Sequence, residues 1–353
     1  MTQRVLIGYA NLGGISIEAE ILEAAGAEIL LAPELDGPDL PRLLNQADAL
    51  MVTLQSVPAS LIADLARCKI ICRVGTGVDA IDIPAATARG IWVTNVPDYS
   101  IDEVSTHAIA LILAQARNLF AHREAARDGD WRYLADTPIR RFAGQTLGVL
   151  GLGRIGRASA RKGRGLGLDV IACDPYVGDD VFSEVGVRRV DFPTLLAEAD
   201  YLTLHVPLTD ETRRLIDDPA LAQMKPGAYL VNTSRGEVVD VPALVDAVRS
   251  NRIAGAAIDV LPVEPPAAND PVLSEERIIV TPHIAWASSE AARDVRVRGT
   301  EDVVRVLKGE PPRYPLNEIR VGEDSPHPQP PLPSKTGEGA IPVAADRLPS
   351  PRS

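Results

Sequence analysis

The sequence predicts an α/β protein with two doubly wound parallel-sheet domains. Short apolar runs alternate with helical patterns in two separate stretches of the chain, and this alternation is typical of right-handed βαβ units. The runs are apolar throughout, as expected for strands that helices cover on both faces. The chain has 353 residues, a length that favours two domains over one.

The predicted strands follow one another in both stretches. In the first stretch they are RVLIGY (4–9), DALMVT (48–53), KIICRV (69–74) and IWVTNV (91–96). In the second they are TLGVL (146–150), DVIAC (169–173), YLTLH (201–205), AYLVN (228–232), IAGAAID (253–259) and RIIVT (277–281). A helical pattern runs from Asp102 to Leu119 and could bridge the two domains, and a second pattern covers residues 288–307.

These patterns divide the chain into three predicted regions. Residues 1–99 and 288–320 form the first domain, and residues 100–287 form the second. Residues 321–353 are rich in proline and contain no aromatic residue. Because such a segment cannot bury enough apolar surface to order itself, we expect a disordered C-terminal tail.

Composition excludes several classes of function. The net charge of −12 argues against a nucleic-acid partner, because neutralising phosphates requires a basic surface. No apolar run approaches the roughly 20 residues that a spanning helix needs, and no basic segment with an apolar stretch begins the chain. We therefore expect a cytoplasmic protein without a membrane partner. Three cysteines, Cys68, Cys72 and Cys173, predict buried thiols and no metal site.

A glycine turn, GLGRIG (151–156), directly follows the first strand of the second domain. Gly151, Gly153 and Gly156 open a helical pattern, so backbone N–H groups and the positive end of a helix would face a pyrophosphate. A second glycine cluster at 163–167 precedes a strand and is interpreted as a helix C-terminus. The first cluster therefore predicts a dinucleotide site in a Rossmann domain.

Asp174 closes the next predicted strand, where a carboxylate can accept both ribose hydroxyls. The same carboxylate would repel a 2′-phosphate, and the following Pro175 and Tyr176 supply no arginine to bind one. NAD is therefore the predicted cofactor.

Polar residues also follow the later strands of the second domain, where parallel sheets bind ligands. Arg235 can grip a carboxylate with both arms of its guanidinium, and His283 can exchange a proton near neutral pH. Glu264 lies in a loop between them in the sequence. Together they supply the acid, the base and the anchor that interconversion of an alcohol and a ketone requires.

The chain resembles the D-2-hydroxyacid dehydrogenase family over about residues 1 to 317. Matching stretches are RVGTGVDAID (73–82), GLGRIG with Asp174, VNTSRGEVVD (231–240), AAIDVLPVEPP (256–266) and TPHIAW (281–286). Within the family the chain is most similar to the branch of the C-terminal-binding co-repressors, through PDYSIDEVSTHAIAL (97–111) and Trp286. The resemblance implies a Rossmann cofactor domain and a flavodoxin-like substrate domain.

The resemblance also implies roles for matched residues. Arg235 binds the substrate, His283 is the acid/base, Glu264 orients its imidazole, and the amides of Val74 and Gly75 cap the substrate carboxylate. The implied cofactor contacts are Thr76, Gly151, Gly153, Arg154, Ile155, Gly156, Asp174, His205, Val206, Pro207, Thr212, Thr233, Ser234, Arg235, Asp259, His283 and Ala285. A homodimer through residues 101–141 is implied as well.

Two departures from relatives leave the substrate open. Thr106 stands where many relatives have a glutamate, and Val52-Thr53-Leu54 lacks an arginine found in relatives that act on 3-phosphoglycerate. We also expect no folded regulatory domain after residue 317. A small unphosphorylated acid such as glyoxylate, hydroxypyruvate or a branched 2-ketoacid is the preferred substrate, in a pocket around Leu54, Gln55, Val74, Tyr99 and Trp286.

Three alternatives stay open beside this interpretation. One is an enzyme similar to D-3-phosphoglycerate dehydrogenase, and another is an NADH-sensing interaction protein similar to the co-repressors. Phosphite oxidation is less favoured, because Thr76 stands where a lysine is expected.

Overall fold

A computed structural model describes residues 2–9, 12–132 and 139–319. The strands are β1 (Arg4–Ile7), β2 (Glu28–Leu31), β3 (Ala49–Val52), β4 (Ile70–Arg73), β5 (Trp92–Thr94), β6 (Thr146–Leu150), β7 (Asp169–Cys173), β8 (Arg188–Arg189), β9 (Tyr201–Leu204), β10 (Tyr229–Asn232), β11 (Gly255–Ile258) and β12 (Ile278–Val280).

The helices are α1 (Ser16–Ala24), α2 (Leu40–Gln46), α3 (Ala59–Asp64), α4 (Ile83–Ala88), α5 (Ile101–Ala116), α6 (Leu119–Arg127), α7 (Arg154–Gly165), α8 (Asp179–Val185), α9 (Phe192–Glu198), α10 (Asp218–Gln223), α11 (Val241–Arg249), α12 (Pro271–Ser274) and α13 (Ser289–Leu307), with a 3₁₀ turn at Gly236–Val238. The predicted tail, residues 321–353, and part of the segment predicted for dimerisation, residues 133–138, lie outside the described residues.

The chain divides into two compact units. Of the described residues, the first unit contains those up to Glu103 and residues 286–319, and the second contains those within Val104–Ala285. The first division therefore falls inside α5. Each unit is built on one parallel sheet, so the predicted α/β class with two doubly wound sheets is confirmed.

The sheet of the first unit has five strands in the order β2-β1-β3-β4-β5. This order is the flavodoxin-like one, in which the chain reverses direction across the sheet between β1 and β3. Both faces are buried: Val5 and Ile7 of β1 pack in one hydrophobic cluster with α13, while Leu6 packs in the cluster on the other face. This alternation explains why the strand is a continuous apolar run.

The sheet of the second unit has seven parallel strands in the order β12-β11-β10-β9-β6-β7-β8. The chain proceeds from β6 toward one edge and returns to the other side of β6 at β9. The gap between β6 and β9 is therefore the switch point, where loops diverge and ligands bind in doubly wound sheets. Leu147 and Leu150 of β6 pack in different clusters, so both faces of this sheet are covered as well.

Three local features differ from the sequence prediction. Strand β2 was not predicted because it lies at a sheet edge and is only partly buried, and β8 has just two residues, both exposed. The helix predicted from Asp102 to Leu119 is broken at Asn118, whose φ of +49° is left-handed. Asparagine tolerates this conformation better than most residues, so one continuous periodic pattern contains two helices.

Among the residues that the structure describes, no helix is long and apolar enough to cross a membrane. In the same ranges, no group of three or more His, Cys, Asp or Glu side chains is placed to hold a metal ion.

Candidate functional site

The glycine turn lies between β6 and α7, at the switch point of the second sheet. Gly151 has a φ of +89°, and a Cβ atom there would lie 2.7 Å from the carbonyl oxygen of His205. A Cβ atom on Gly156 would lie 2.0 Å from the carbonyl oxygen of Gly151. Close approach of backbone to backbone therefore requires both glycines, whatever the turn binds.

Gly153 differs from its two neighbours, because a Cβ atom built there meets nothing within 4 Å. It is the N-cap of α7, with an extended backbone that any residue can adopt. The first N–H groups of a helix have no partner inside it, and here they follow an exposed, open glycine. A dinucleotide pyrophosphate fits this surface, which has space at Gly153 and the positive end of a twelve-residue helix.

The second glycine cluster has the structural role that the sequence predicted. Helix α7 ends at Gly165, and Gly167 has a φ of +85° in the turn before β7. This cluster is therefore the C-terminal turn of the helix and lies at its far end from Gly153.

Asp174 follows β7 and is held beside the glycine turn. One carboxylate oxygen accepts the N–H of Leu152 at 2.7 Å, and the other accepts the N–H of Tyr176 at 2.9 Å. Two backbone hydrogen bonds thus fix its orientation, and each oxygen retains further acceptor capacity. The hydroxyl of Tyr176 donates to Glu211, and this hydrogen bond raises the pKa of the phenol. This hydrogen bond therefore links the loop after β7 to the loop after β9.

The loop after β9 carries four of the predicted cofactor residues, His205, Val206, Pro207 and Thr212. Burial lowers the pKa of the His205 imidazole to about 4, so this ring is neutral at pH 7. The hydroxyl of Thr212 donates to the Pro207 carbonyl at 2.6 Å and closes the loop. The Nε2 atom of His205 lies 3.1 Å from the Thr203 hydroxyl, so the uncharged ring packs at the end of β9.

The loop after β10 is organised by Asn232, which the sequence analysis did not single out. Its side-chain oxygen accepts the N–H and the hydroxyl of Ser234 at 3.0 and 2.8 Å, and its Nδ2 donates to the carbonyl of Arg235 at 2.8 Å. Between them, the buried hydroxyl oxygen of Thr233 has no hydrogen-bond partner within the described part of the chain. An unsatisfied buried hydroxyl at a predicted cofactor residue is consistent with a polar ligand there.

Gly236 brings Arg235 to the loop that follows β11. A Cβ atom on Gly236 would lie 2.0 Å from the backbone carbonyl carbon of Leu261, so only glycine permits this approach. Arg235 precedes it, and its Nη1 donates to the Ser234 carbonyl at 2.7 Å. The positive charge of Arg235 is one of the causes that lower the pKa of Glu264. The guanidinium and the carboxylate therefore lie in one corner of the second unit.

His283 and Glu264 form the central contact of this corner. The imidazole Nδ1 lies 2.7 Å from Glu264 Oε2, and Glu264 Oε1 accepts the N–H of Leu261 at 2.8 Å. Burial alone would raise the pKa of Glu264, but the hydrogen bonds from His283 and Leu261 outweigh it and hold the pKa below its usual value. Glu264 is therefore a carboxylate at neutral pH, and it fixes the orientation of the His283 ring.

Asp259 builds the loop that carries His283. Its carboxylate accepts the N–H groups of Ile284 and Ala285 at 3.0 and 2.8 Å, and its backbone carbonyl accepts the N–H of His283 at 2.8 Å. His283 itself has a φ of +52°, an uncommon conformation for a residue with a side chain. The buried Asp259, predicted as a cofactor contact, thus also has a structural role.

In the first unit, the Val74–Gly75 turn departs from the sequence expectation. The N–H of Val74 donates to the Val52 carbonyl at 2.7 Å, and the N–H of Gly75 donates to the Arg73 carbonyl at 2.9 Å. Both amides assigned to the substrate carboxylate are therefore used internally, and a carboxylate would have to displace these bonds. Thr76 is exposed, and its hydroxyl donates to the Val96 carbonyl at 3.3 Å.

Arg73 is a further candidate that the sequence analysis missed. Its Nη1 donates to the Val74 carbonyl at 2.6 Å, and its guanidinium occupies the position where Gly75 would carry a Cβ atom. The signal was present in the sequence, since an arginine directly precedes the expected anion-binding turn. Nearby, the rings of Tyr99 and Trp286 form a tilted pair with centroids 6.3 Å apart.

The second unit thus combines a doubly wound parallel sheet, an open glycine turn and a histidine–carboxylate pair at the carboxyl ends of its strands. This combination is that of a dinucleotide-binding α/β domain. Residues 109–285 match the family model described as "D-isomer specific 2-hydroxyacid dehydrogenase, NAD binding domain". The chain therefore belongs to the D-isomer specific 2-hydroxyacid dehydrogenase family, which confirms the family predicted from its sequence.

Individual relatives agree on the family and differ in their substrates. The chain is 39% identical over 305 residues to D-3-phosphoglycerate dehydrogenase of Archaeoglobus fulgidus, covering 86% of this chain and 58% of that protein. It is 37% identical over 280 residues to glyoxylate reductase of Korarchaeum cryptofilum, covering 78% of this chain and 84% of that protein. D-lactate dehydrogenase of Aquifex aeolicus, solved with NAD and lactic acid, superposes with a TM-score of 0.80 at 27% identity, covering 87% of this chain and 96% of that one.

The chain spans little more than half the length of several phosphoglycerate dehydrogenase relatives, 58% for the archaeal protein and 53% for that of Mycobacterium leprae.

Proposed function

We propose that the protein is an NAD(H)-dependent oxidoreductase that interconverts a small 2-hydroxy acid and the corresponding 2-oxo acid. The observation that carries this proposal is the 2.7 Å contact between His283 Nδ1 and Glu264, in a corner that also holds the charge of Arg235. An oriented acid/base and a fixed cation are what this redox reaction needs from the protein.

Each residue of the corner has a distinct task in the proposed reaction. Arg235 binds the substrate carboxylate and the neighbouring oxygen on C2. Glu264 holds the Nδ1 side of His283, so proton exchange with the substrate oxygen is assigned to Nε2. In reduction the His283 imidazolium donates the proton that completes the hydroxyl group, and in oxidation neutral His283 accepts it. NADH, when bound, supplies the hydride to C2, and NAD⁺ accepts it in the reverse direction.

The residues that would hold the cofactor come from three strand ends of the second unit, those of β6, β7 and β10. Gly153 and the N-terminal amides of α7 would bind the pyrophosphate, and Asp174 would accept the ribose hydroxyls. The buried hydroxyl of Thr233 offers a further polar contact. The fixed carboxylate of Asp174, with no arginine in Pro175-Tyr176, supports NAD over NADP.

The preferred substrate is unphosphorylated, such as glyoxylate, hydroxypyruvate or a branched 2-ketoacid. Val52, Thr53 and Leu54 place no arginine at the end of β3, and the Leu54 side chain is 56% exposed. The similarity to a glyoxylate reductase over most of that enzyme's length supports this choice. A D-3-phosphoglycerate dehydrogenase is the alternative that two observations favour, the 39% identical relative and the guanidinium of Arg73 beside Gly75.

A panel assay tests this proposal. Purified protein with NADH is given glyoxylate, hydroxypyruvate, a branched 2-ketoacid and 3-phosphohydroxypyruvate, and the loss of NADH absorbance is followed. We expect turnover with at least one unphosphorylated acid at a higher kcat/KM than with the phosphorylated one. The opposite order would favour the phosphoglycerate alternative. If no acid is reduced while NADH binds and promotes assembly, the NADH-sensing interpretation replaces the enzymatic one.

We also propose that the protein is a homodimer whose interface includes α6 and the residues after it. Leu119 and Phe120 are half-exposed and Trp131 is 87% exposed, which is unusual for large apolar side chains so close in sequence. Light scattering coupled to size-exclusion chromatography should give twice the mass of one chain. A Trp131→Lys and Phe120→Lys double variant should shift the species toward the monomer.

A further inference from the structure

A line of hydrogen bonds connects α5 to the loop that carries His283. The Nε2 atom of His107 lies 3.2 Å from Thr281 Oγ1, and the Thr281 hydroxyl donates to Asp259 Oδ1 at 2.5 Å. A hydroxyl has a single proton, and Thr281 gives it to the carboxylate. The contact with His107 is therefore one in which Nε2–H of His107 donates to Thr281.

Asp259 links the Thr281 hydroxyl to the backbone around His283. The carboxylate is almost fully buried and accepts the N–H groups of Ile284 and Ala285 in addition to the Thr281 hydroxyl. His283 is held between Thr281 and these two residues with a left-handed backbone. A non-glycine residue keeps such a conformation only when several contacts with the surrounding structure hold it in place.

We propose that His107 is a positioning residue for His283. Through Thr281 and Asp259, His107 fixes the backbone of residues 281–285 and thereby the place of the acid/base imidazole. The inference concerns the orientation of the loop, and its kinetic consequence rests on the proposed function. Because a displacement of about 1 Å at a reacting group costs on the order of 100-fold in rate, a small relaxation of this loop would be visible in kcat.

The neighbouring residues of α5 have a different role and supply a control. Lys162 of α7 donates to Thr106 Oγ1 at 2.5 Å and to Ser105 Oγ at 2.8 Å. These hydrogen bonds join α5 to α7 and include no residue of the loop that carries His283. Thr106→Val therefore removes a helix–helix hydrogen bond next to His107 without breaking the line through Thr281.

Two pairs of variants test the line at two points. His107→Leu and Thr281→Val remove it, whereas His107→Gln keeps an N–H donor near Nε2 and Thr281→Ser keeps the hydroxyl. In 2-oxo acid reduction, kcat should fall by roughly 10- to 100-fold in the first pair, with little change in KM. The conservative variants should recover most of the loss, and Thr106→Val should keep the wild-type kcat.

Hydrogen–deuterium exchange of the full chain gives a readout that needs no substrate. Exchange at the amides of residues 283–285 should be about tenfold faster in His107→Leu and Thr281→Val and near wild-type in His107→Gln and Thr281→Ser. If wild-type protein reduces no 2-oxo acid, the proposed function fails, and the exchange rates alone decide this inference.

Three results would overturn the positioning role. The first is a folded His107→Leu protein with wild-type exchange at residues 283–285. The second is an equal loss of kcat in His107→Gln and His107→Leu. The third is a loss of kcat in His107→Leu that Thr106→Val reproduces, because a general loss of helix packing would then explain it.

Discussion

The corner around His283 and the Val74–Gly75 turn were both predicted to bind the substrate, yet the structure prepares them differently. In the corner, Glu264 orients the imidazole and Gly236 brings Arg235 close. At the turn, both backbone N–H groups already donate to carbonyl groups, and Arg73 lies against Gly75. The comparison teaches that side-chain chemistry is more readily predicted from a motif than the availability of backbone amides, which depends on local turn geometry.

The largest expected effect comes from removing the acid/base of the corner. His283→Asn should lower kcat for 2-oxo acid reduction by about 10²- to 10⁴-fold, because the proton donor is lost. NADH affinity, measured by fluorescence titration, should fall far less than kcat. His327→Asn, a change at a histidine of the predicted C-terminal tail, is the matched control and should keep full activity. A folded His283→Asn protein with near-normal kcat would show that His283 is not the proton donor.

The glycine turn offers a paired test of cofactor binding against packing. In Gly153→Ala the new methyl group enters open space, so the melting temperature should be preserved while NADH affinity falls by roughly 10- to 100-fold. In Gly156→Ala the methyl group meets a backbone carbonyl, so the free energy of unfolding should fall by about 1–3 kcal/mol or more. Calorimetry and fluorescence titration of both variants check this. Unchanged NADH binding in Gly153→Ala would show that the open surface is not the pyrophosphate site.

Replacing Glu264 by glutamine removes the negative charge next to His283 Nδ1 and keeps an oxygen that can accept its hydrogen bond. We expect kcat at pH 7 to fall by about tenfold, since the imidazolium loses its ionic partner. Because the folded-state pKa of Glu264 is lowered, its ionised form stabilises the protein above the unfolded pKa of about 4.3, and this stabilisation is lost as pH falls through the lower folded value. The difference in melting temperature between wild type and Glu264→Gln should therefore shrink as pH falls below about 4.

A difference in melting temperature that stayed unchanged from neutral pH down to about pH 3 would mean that Glu264 is not held as a carboxylate. Glu28→Gln is the matched control, because that glutamate pairs with Arg4 in the first unit, far from His283 in sequence.

The smallest expected effect is at the Val74–Gly75 turn. Arg73→Gln removes a positive charge next to Gly75, so KM for a 2-oxo acid should rise by about three- to tenfold with kcat almost unchanged. Arg67→Gln, which removes an ion pair with Asp48 elsewhere in the same unit, is the control. Equal KM values in Arg73→Gln and wild type would leave the backbone amides as the carboxylate contact, at the cost of their internal hydrogen bonds.

Sequence patterns predicted the parts of the fold that are buried and periodic. The central strands are continuous apolar runs because helices cover both faces, whereas β2 and β8 lie at edges and lack that signal. The break at Asn118 was not predicted because no glycine or proline marks it in the sequence.

For the candidate site, motif residues such as Gly153 and His283 were identified because their chemistry is visible in the sequence. Residues that act through a neighbour were missed. Asn232 shapes the turn before Arg235, and Thr281 connects His107 to Asp259. The Thr281 contacts join segments that are far apart in the sequence, so no spacing in the sequence shows them. The Asn232 hydrogen bonds are local, but they depend on the conformation of the turn. The occupied amides of Val74 and Gly75 were not predicted because they depend on turn geometry and on pairing with the end of β3.

The pH dependence of a single-turnover reduction tests the central claim most directly, because it observes the proton that His283 is proposed to donate. With enzyme in excess and NADH bound, the rate of 2-oxo acid reduction should be constant in acid and fall about tenfold per pH unit once His283 loses its proton. The reverse oxidation should rise over the same range. A reduction rate that stays flat from pH 5 to 9, with a deuteride isotope effect showing that hydride transfer is being measured, would contradict the account.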